Sequence, residues 1–146
     1  MRNLGLVSFL IVAGLFLQGC LDPLARGKIF IKSKEQFSAN MDDRILEVIK
    51  VVESIARQSG FAPISAFDHT DKVSLHMDKR NKDGLFTGID VSSEDNIIKI
   101  YISELGHCKL SEEALRLQDE IDNALRPSLK DCCIIIKDNE CFEDSK

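Results

Sequence analysis

The chain has 146 residues, five cysteines, no tryptophan and a formal net charge of −5. That length falls within one domain and is enough to bury a core without help from a metal. The acidic balance argues against nucleic acid as a partner and against a polybasic contact with a membrane.

Taken in chain order, the first segment is the most specific. Met1-Arg2-Asn3 carries one basic side chain, and residues 4–17 carry no charge. As a helix that apolar run would span about 21 Å, against a hydrocarbon core of about 30 Å. A basic start, a short apolar run and a small residue before a break fit a secretory signal better than a spanning helix. The break reads Leu17-Gln18-Gly19-Cys20, with leucine three places before the cysteine and glycine directly before it. This resembles the lipobox of bacterial lipoproteins, over residues 1–20 only. The resemblance implies that residues 1–19 are a signal peptide removed by a dedicated peptidase. It also implies that the Cys20 thiol carries a diacylglycerol and that the new amine takes a further acyl chain of the palmitate kind. Each buried CH₂ contributes roughly 0.8 kcal/mol, so two or three chains hold a protein where one does not. In that family an aspartate after the cysteine marks inner-membrane retention. Leu21 stands there instead, which implies the outer membrane, facing the periplasm, with the lipid as the membrane contact.

Residues 20–28 contain Pro23 and Gly27 and no apolar period, so they read as the lipidated cysteine and a tether, followed by a single domain over 29–146. Ile29 and Ile31 alternate and suggest a short edge strand. From Met41 to Ser59, apolar residues recur at Met41, Ile45, Val48, Ile49, Val52, Ile55 and Ala56, one face of a helix, with charged side chains opposite. Asn40 is its expected N-cap, Asp42 and Asp43 suit the helix dipole, and Gly60 closes the far end. A loop over 61–72 follows, with Phe61 and Phe67 expected to be exposed. Val73, Leu75 and Met77 then alternate, as do Leu85, Thr87, Ile89 and Val91, and again Ile98, Ile100 and Ile102. The short polar turns "RNKDG" and "SSEDN" between them argue an antiparallel meander. A second helix starts at the N-cap Ser111, with Glu112 and Glu113 in its first turn and Leu110 stapled to Leu115. Its apolar face is Ala114, Leu117, Ile121, Ala124 and Leu125, and Pro127 is expected to stop it near Arg126. "CCIIIK" reads as a buried last strand, and residues 138–146 as a turn and an acidic tail. The expected fold is α+β, a two-layer sandwich with an antiparallel sheet of about four strands and both helices on one face.

Beyond Cys20 the cysteines are Cys108, Cys132, Cys133 and Cys141. An exported chain permits disulfides, and no C-x-x-C spacing supports a zinc ribbon or a thioredoxin-like site. Neighbours on a strand face opposite ways, so a bridge from Cys108 to one of Cys132 and Cys133 is feasible, with the other reaching Cys141. Four cysteines allow three pairings, and the order stays open. His69, His76 and His107 show no i, i+4 ligand spacing, and the expectation is surface histidines with no metal and no cofactor. Ser65 and Ser74 sit in no G-x-S-x-G elbow, and Gly84 and Gly88 are spaced for a turn and a strand, not for a phosphate loop. The carboxylate pairs Asp42-Asp43 and Glu112-Glu113 each open a helix, where the dipole accounts for them. "DKRNKDG" is a locally basic hairpin tip, either a solvated turn or a contact for an acidic partner. No residue stands out as catalytic. The expected function is a lipid-anchored, non-catalytic envelope protein that binds another protein, as an accessory subunit or an immunity-type inhibitor. The alternative is a small-ligand binder or enzyme with a site dispersed over the sheet and loop 61–72.

Overall fold

A computed structural model describes residues 22–34, 40–63, 73–82 and 84–142. The lipobox with Cys20, the end of the expected acidic tail (143–146), Ser65, Phe67 and His69 lie outside the described residues. The chain runs β1 (Leu24–Ser33), a 3-10 turn (Met41–Asp43), α1 (Ile45–Gln58), β2 (Ala62–Pro63), β3 (Leu75–Arg80), β4 (Phe86–Glu94), β5 (Ile97–Leu105), α2 (Glu112–Leu129) and β6 (Cys133–Phe142). The strands form one six-stranded sheet in the order β2-β3-β4-β5-β1-β6, with every neighbouring pair antiparallel. The fold is α+β, with six strands where the sequence suggested about four.

The largest revision concerns β1. Residues 24–28 are not tether; they are the first half of a ten-residue strand that lies between β5 and β6, far from an edge. The inward positions of that half are Ala25 and Gly27, too small to register as a hydrophobic alternation. Their size has a cause. A Cβ on Gly27 would come within 2.8 Å of Leu110 Cδ1 and 2.9 Å of Gln118 Nε2. Gln118, only 1% exposed, fills that space and donates to the carbonyls of Lys28 at 3.3 Å and Asp138 at 3.2 Å. Leu110 therefore packs over β1 instead of stapling to Leu115, which is exposed.

One face of the sheet carries the core. Ile29 and Ile31 of β1, Met77 of β3, Ile89 and Val91 of β4, and Ile98, Ile100 and Ile102 of β5 are all essentially inaccessible. Against them α1 presses Val48, Val52 and Ala56, and α2 presses Leu117, Ile121 and Leu125. Ser111 caps α2 as the sequence indicated, whereas Asn40 caps the 3-10 turn and α1 begins later, at Ile45, behind Arg44, which makes no side-chain cap bond. Asn40 accepts from the Asp42 N–H at 3.1 Å, and Ser111 Oγ accepts from the Ala114 N–H at 3.2 Å. Gly60 takes a φ of +87° to close α1, and the β4–β5 turn tightens to Asp95 and Asn96, both left-handed, as a two-residue hairpin requires. Phe61 is buried against the end of α1, not exposed. Pro127 does not stop α2. It lies inside the last turn, where only one backbone bond is forfeited, and the helix continues to bury Leu129.

A carboxylate fixes α2 to the sheet. Glu104, 4% exposed, accepts from Ser111 N–H at 2.6 Å, from Ser111 Oγ at 2.7 Å and from Thr87 Oγ1 at 2.9 Å. Asn81 Nδ2 completes the set by donating to Thr87 Oγ1 at 2.9 Å. A negative charge at a helix N-terminus with every oxygen engaged is a tolerable burial.

The cysteines pair differently from the expected order. Cys108 bridges Cys141, with Cα atoms 5.0 Å apart, and Cys132 pairs with its neighbour Cys133. β5 and β6 are each antiparallel to β1, hence parallel to one another, and α2 is the crossover between them. Like ends of parallel strands lie together, so Cys108, just past the end of β5, meets the end of β6 and not its beginning. Cys132 precedes β6 in a turn, which frees it from the strand's strict alternation. Closing the 33-residue span between Cys108 and Cys141 is worth roughly 3–4 kcal/mol in lost unfolded-chain entropy.

Candidate interaction surface

The strand alternation that fills the core also turns a second set of side chains outward, onto a sheet face that neither helix covers. β6, expected to be buried, is an edge strand in which only Cys133 is fully covered, while Ile134 and Ile136 are 42% and 43% exposed. The strand also continues through Asp138–Phe142, where a turn and tail were expected. Registered pairs arrange the open face in rows across β5, β1 and β6: Leu105, Leu24 and Phe142 at one end; then Ser103, Arg26 and Glu140; then Tyr101, Lys28 and Asp138; then Lys99, Phe30 and Ile136; and last Ile97, Lys32 and Ile134.

Charge and aromatic groups interleave in the middle of that face. The Arg26 guanidinium lies 5.0 Å from the Tyr101 ring centre and 4.8 Å from that of Phe142. Phe30 meets Tyr101 edge to face, with centroids 5.7 Å apart. Lys28 donates to Glu140 at 2.6 Å and lies 4.0 Å from Asp138. The hydrogen bond that Lys28 donates to Glu140 is the largest of the influences that hold its ammonium above the ordinary lysine range. These contacts order long side chains that would otherwise be loose on a surface.

Towards β3 the same face holds a further constellation that the sequence did not flag. Ser74 Oγ lies 3.5 Å from His76 Nε2, and His76 Nδ1 contacts the carboxylate of Asp90 on the next strand. A serine, histidine and aspartate in that order are the parts of an acyl-transfer relay. Here the histidine and aspartate side chains are 39% and 47% exposed, on an open face that excludes no water. The Oγ–Nε2 separation is at the limit of a hydrogen bond. The arrangement is that of a surface histidine–aspartate contact with a hydroxyl beside it.

Among the described residues, two clefts lie elsewhere. One of about 130 Å³ sits by the N-terminus of α2, lined by Phe61, Asn81, Thr87, Glu113 and Leu117. The other, about 270 Å³, lies between the 3-10 turn and the β4–β5 hairpin and is lined by Asp42, Ile45, Val73, Ser93 and Asn96. Both are smaller than the 300–1,000 Å³ typical of small-molecule sites. Asp42 is engaged there by Ser93 Oγ at 2.6 Å, and Glu113 by Lys79, so the two paired-carboxylate motifs are structural at the residues that touch the clefts. His107 is exposed beside the Cys108 bridge. Among the described residues no helix is long and apolar enough to cross a membrane.

No protein-family model matches the chain, and no curated protein matches it. Among solved structures, it is similar to a VAO-type flavoprotein from Myceliophthora thermophila C1, at 15% identity and a TM-score of 0.42 over 86% of this chain, which spans 19% of that one. It is also similar to an adenosylmethionine decarboxylase from Aquifex aeolicus VF5, at 14% identity and a TM-score of 0.40 over 86% of this chain and 93% of that one. At this depth neither likeness bears on what the chain does.

Proposed function

We propose that the protein is a non-catalytic binding module of the bacterial cell envelope, anchored through a lipidated Cys20 at the outer membrane and facing the periplasm. Its partner is another envelope protein, which it serves as an accessory subunit or restrains as an immunity-type inhibitor. The observation that carries this reading is the exposed side of β6. Among the described residues the ten-residue strand β6 has no further strand beside it, and Ile134 and Ile136 flank that edge on the open face. Natural sheets blunt such edges unless they are used. The opposite edge is blunted: β2 is two residues long and one of them is Pro63. An added strand from a partner would gain main-chain hydrogen bonds from β6 and apolar contact from the two isoleucines. A photoreactive residue in place of Ile136 should capture one discrete protein in intact cells, while the same group in place of Lys50, exposed on α1, captures none. Equal capture from both positions, or none from either, contradicts the reading.

A further inference from the structure

The row of side chains at the start of β1 is the end of the sheet nearest Cys20. Only four peptide steps separate Cys20 from Leu24, so the cysteine is at most about 14 Å from the first residue of the strand. The antiparallel register gathers at this same end the start of β1, the ends of β5 and β6, and the β3–β4 turn. Three of the largest exposed apolar side chains of the protein are found there: Phe86 at 54%, Leu105 at 48% and Phe142 at 46%. Leu24 is half-buried between the last two, its registered partners. Around them stand Arg80, whose guanidinium lies 5.8 Å from the Phe86 ring centre, and the exposed Lys82 and Lys109 on the adjoining loops. Asp22 is an exposed carboxylate at this end, and in the sequence Asp83 adjoins Lys82 while Glu143 and Asp144 follow Phe142. Among the described residues this rim is apolar and aromatic, with three exposed cations at its margin.

We infer that this rim is a membrane-docking surface: Phe86, Leu105 and Phe142 enter the interfacial layer of the anchoring bilayer while Arg80, Lys82 and Lys109 meet its phosphates. The inference rests on lipidation of Cys20 and goes beyond it, because it fixes how the domain stands. A tether this short holds the rim against the headgroups whatever the domain's preference, and the rim's composition makes that contact favourable. Aromatic rings suit the boundary between water and hydrocarbon, and cations flanking an apolar patch add attraction to anionic lipid. The strands then rise away from the membrane. Ile134 is eight residues along β6 from Phe142, about 27 Å at ~3.4 Å per residue, which lifts the proposed partner surface clear of the headgroups.

The protein has no tryptophan, so a single substitution gives an unambiguous optical reporter. Phe86→Trp and Ile134→Trp would each be made in the full-length protein, purified with its lipid and reconstituted into vesicles of phosphatidylethanolamine with phosphatidylglycerol. Mass spectrometry of the amino terminus records lipidation separately. Brominated acyl chains should quench Phe86→Trp at least three-fold more than Ile134→Trp, and replacing phosphatidylglycerol with neutral lipid should reduce that quenching. Equal, weak quenching at both sites on a lipidated protein would overturn the docking and leave the anchor standing. A chain with no lipid on Cys20 would overturn both. Protection of Phe86→Trp from water without lipid quenching, rising with protein concentration, would show that a second copy covers the rim and would overturn the inference.

Discussion

Ile121→Asp is expected to leave the domain unfolded under conditions in which the wild type is fully native. Ile121 is wholly buried on the face of α2 that presses on the sheet, among Leu117, Leu125 and the inward isoleucines. An aspartate there loses the apolar burial and brings in a carboxylate with no partner, a cost of at least about 4 kcal/mol. That is comparable to the whole stability of a domain, typically 5–15 kcal/mol. Ile49→Asp on α1 should act in the same direction, less strongly, because Ile49 sits at the margin of the core. Lys50→Asp, one residue on and exposed, should change stability by no more than about 0.5 kcal/mol. Thermal melts followed by circular dichroism separate the three, and indistinguishable midpoints would mean that the helices bury other faces.

Glu104→Ala should be the second most damaging single change. It removes the acceptor of three hydrogen bonds at once, leaving the buried Thr87 with Asn81 alone and Ser111, at the start of α2, without its acceptor. Bonds to a charged group contribute about 1.5–3 kcal/mol each, and they are not independent, so a total of roughly 3–5 kcal/mol is expected. Glu104→Gln keeps the shape and one acceptor oxygen and should lose about half as much. Urea titrations should show the midpoint falling with an unchanged slope. A loss below about 1 kcal/mol for Glu104→Ala would mean that water replaces the carboxylate and that the α2 cap stands by itself.

The parts of the fold that were legible in the sequence are those written in large side chains at a regular period. The α1 stripe, the Ser111 cap and the alternating isoleucines of β5 all occupy the places their spacing indicated. The parts that were not legible are those where a small or tolerated residue carried the information. Ala25 and Gly27 hid the start of a central strand because Gln118 and Leu110 already occupied the space above it. Pro127 was read as a stop, yet in a last turn it forfeits a single bond, less than the burial of Leu129 returns. The run Ile134-Ile135-Ile136 looked like a buried strand, since a continuous apolar run has no side, and only the sheet order shows that two of the three face outward at an edge. The Cys108–Cys141 bridge needed the parallel relation of β5 and β6, which depends on β1 lying between them. The surface proposed for binding was out of reach for the same reason: Arg26, Tyr101 and Phe142 lie far apart in the chain and meet only through that register.

Everything proposed about location and orientation depends on Cys20. Intact-mass analysis of the protein extracted from its own membranes with detergent tests that most directly. A chain that begins at Cys20 and carries a diacylglycerol and a further acyl group is the predicted result, with Cys20→Ala giving an uncut, unlipidated chain. A wild-type protein that retains residues 1–19, or that begins at another residue and bears no lipid, would contradict the account.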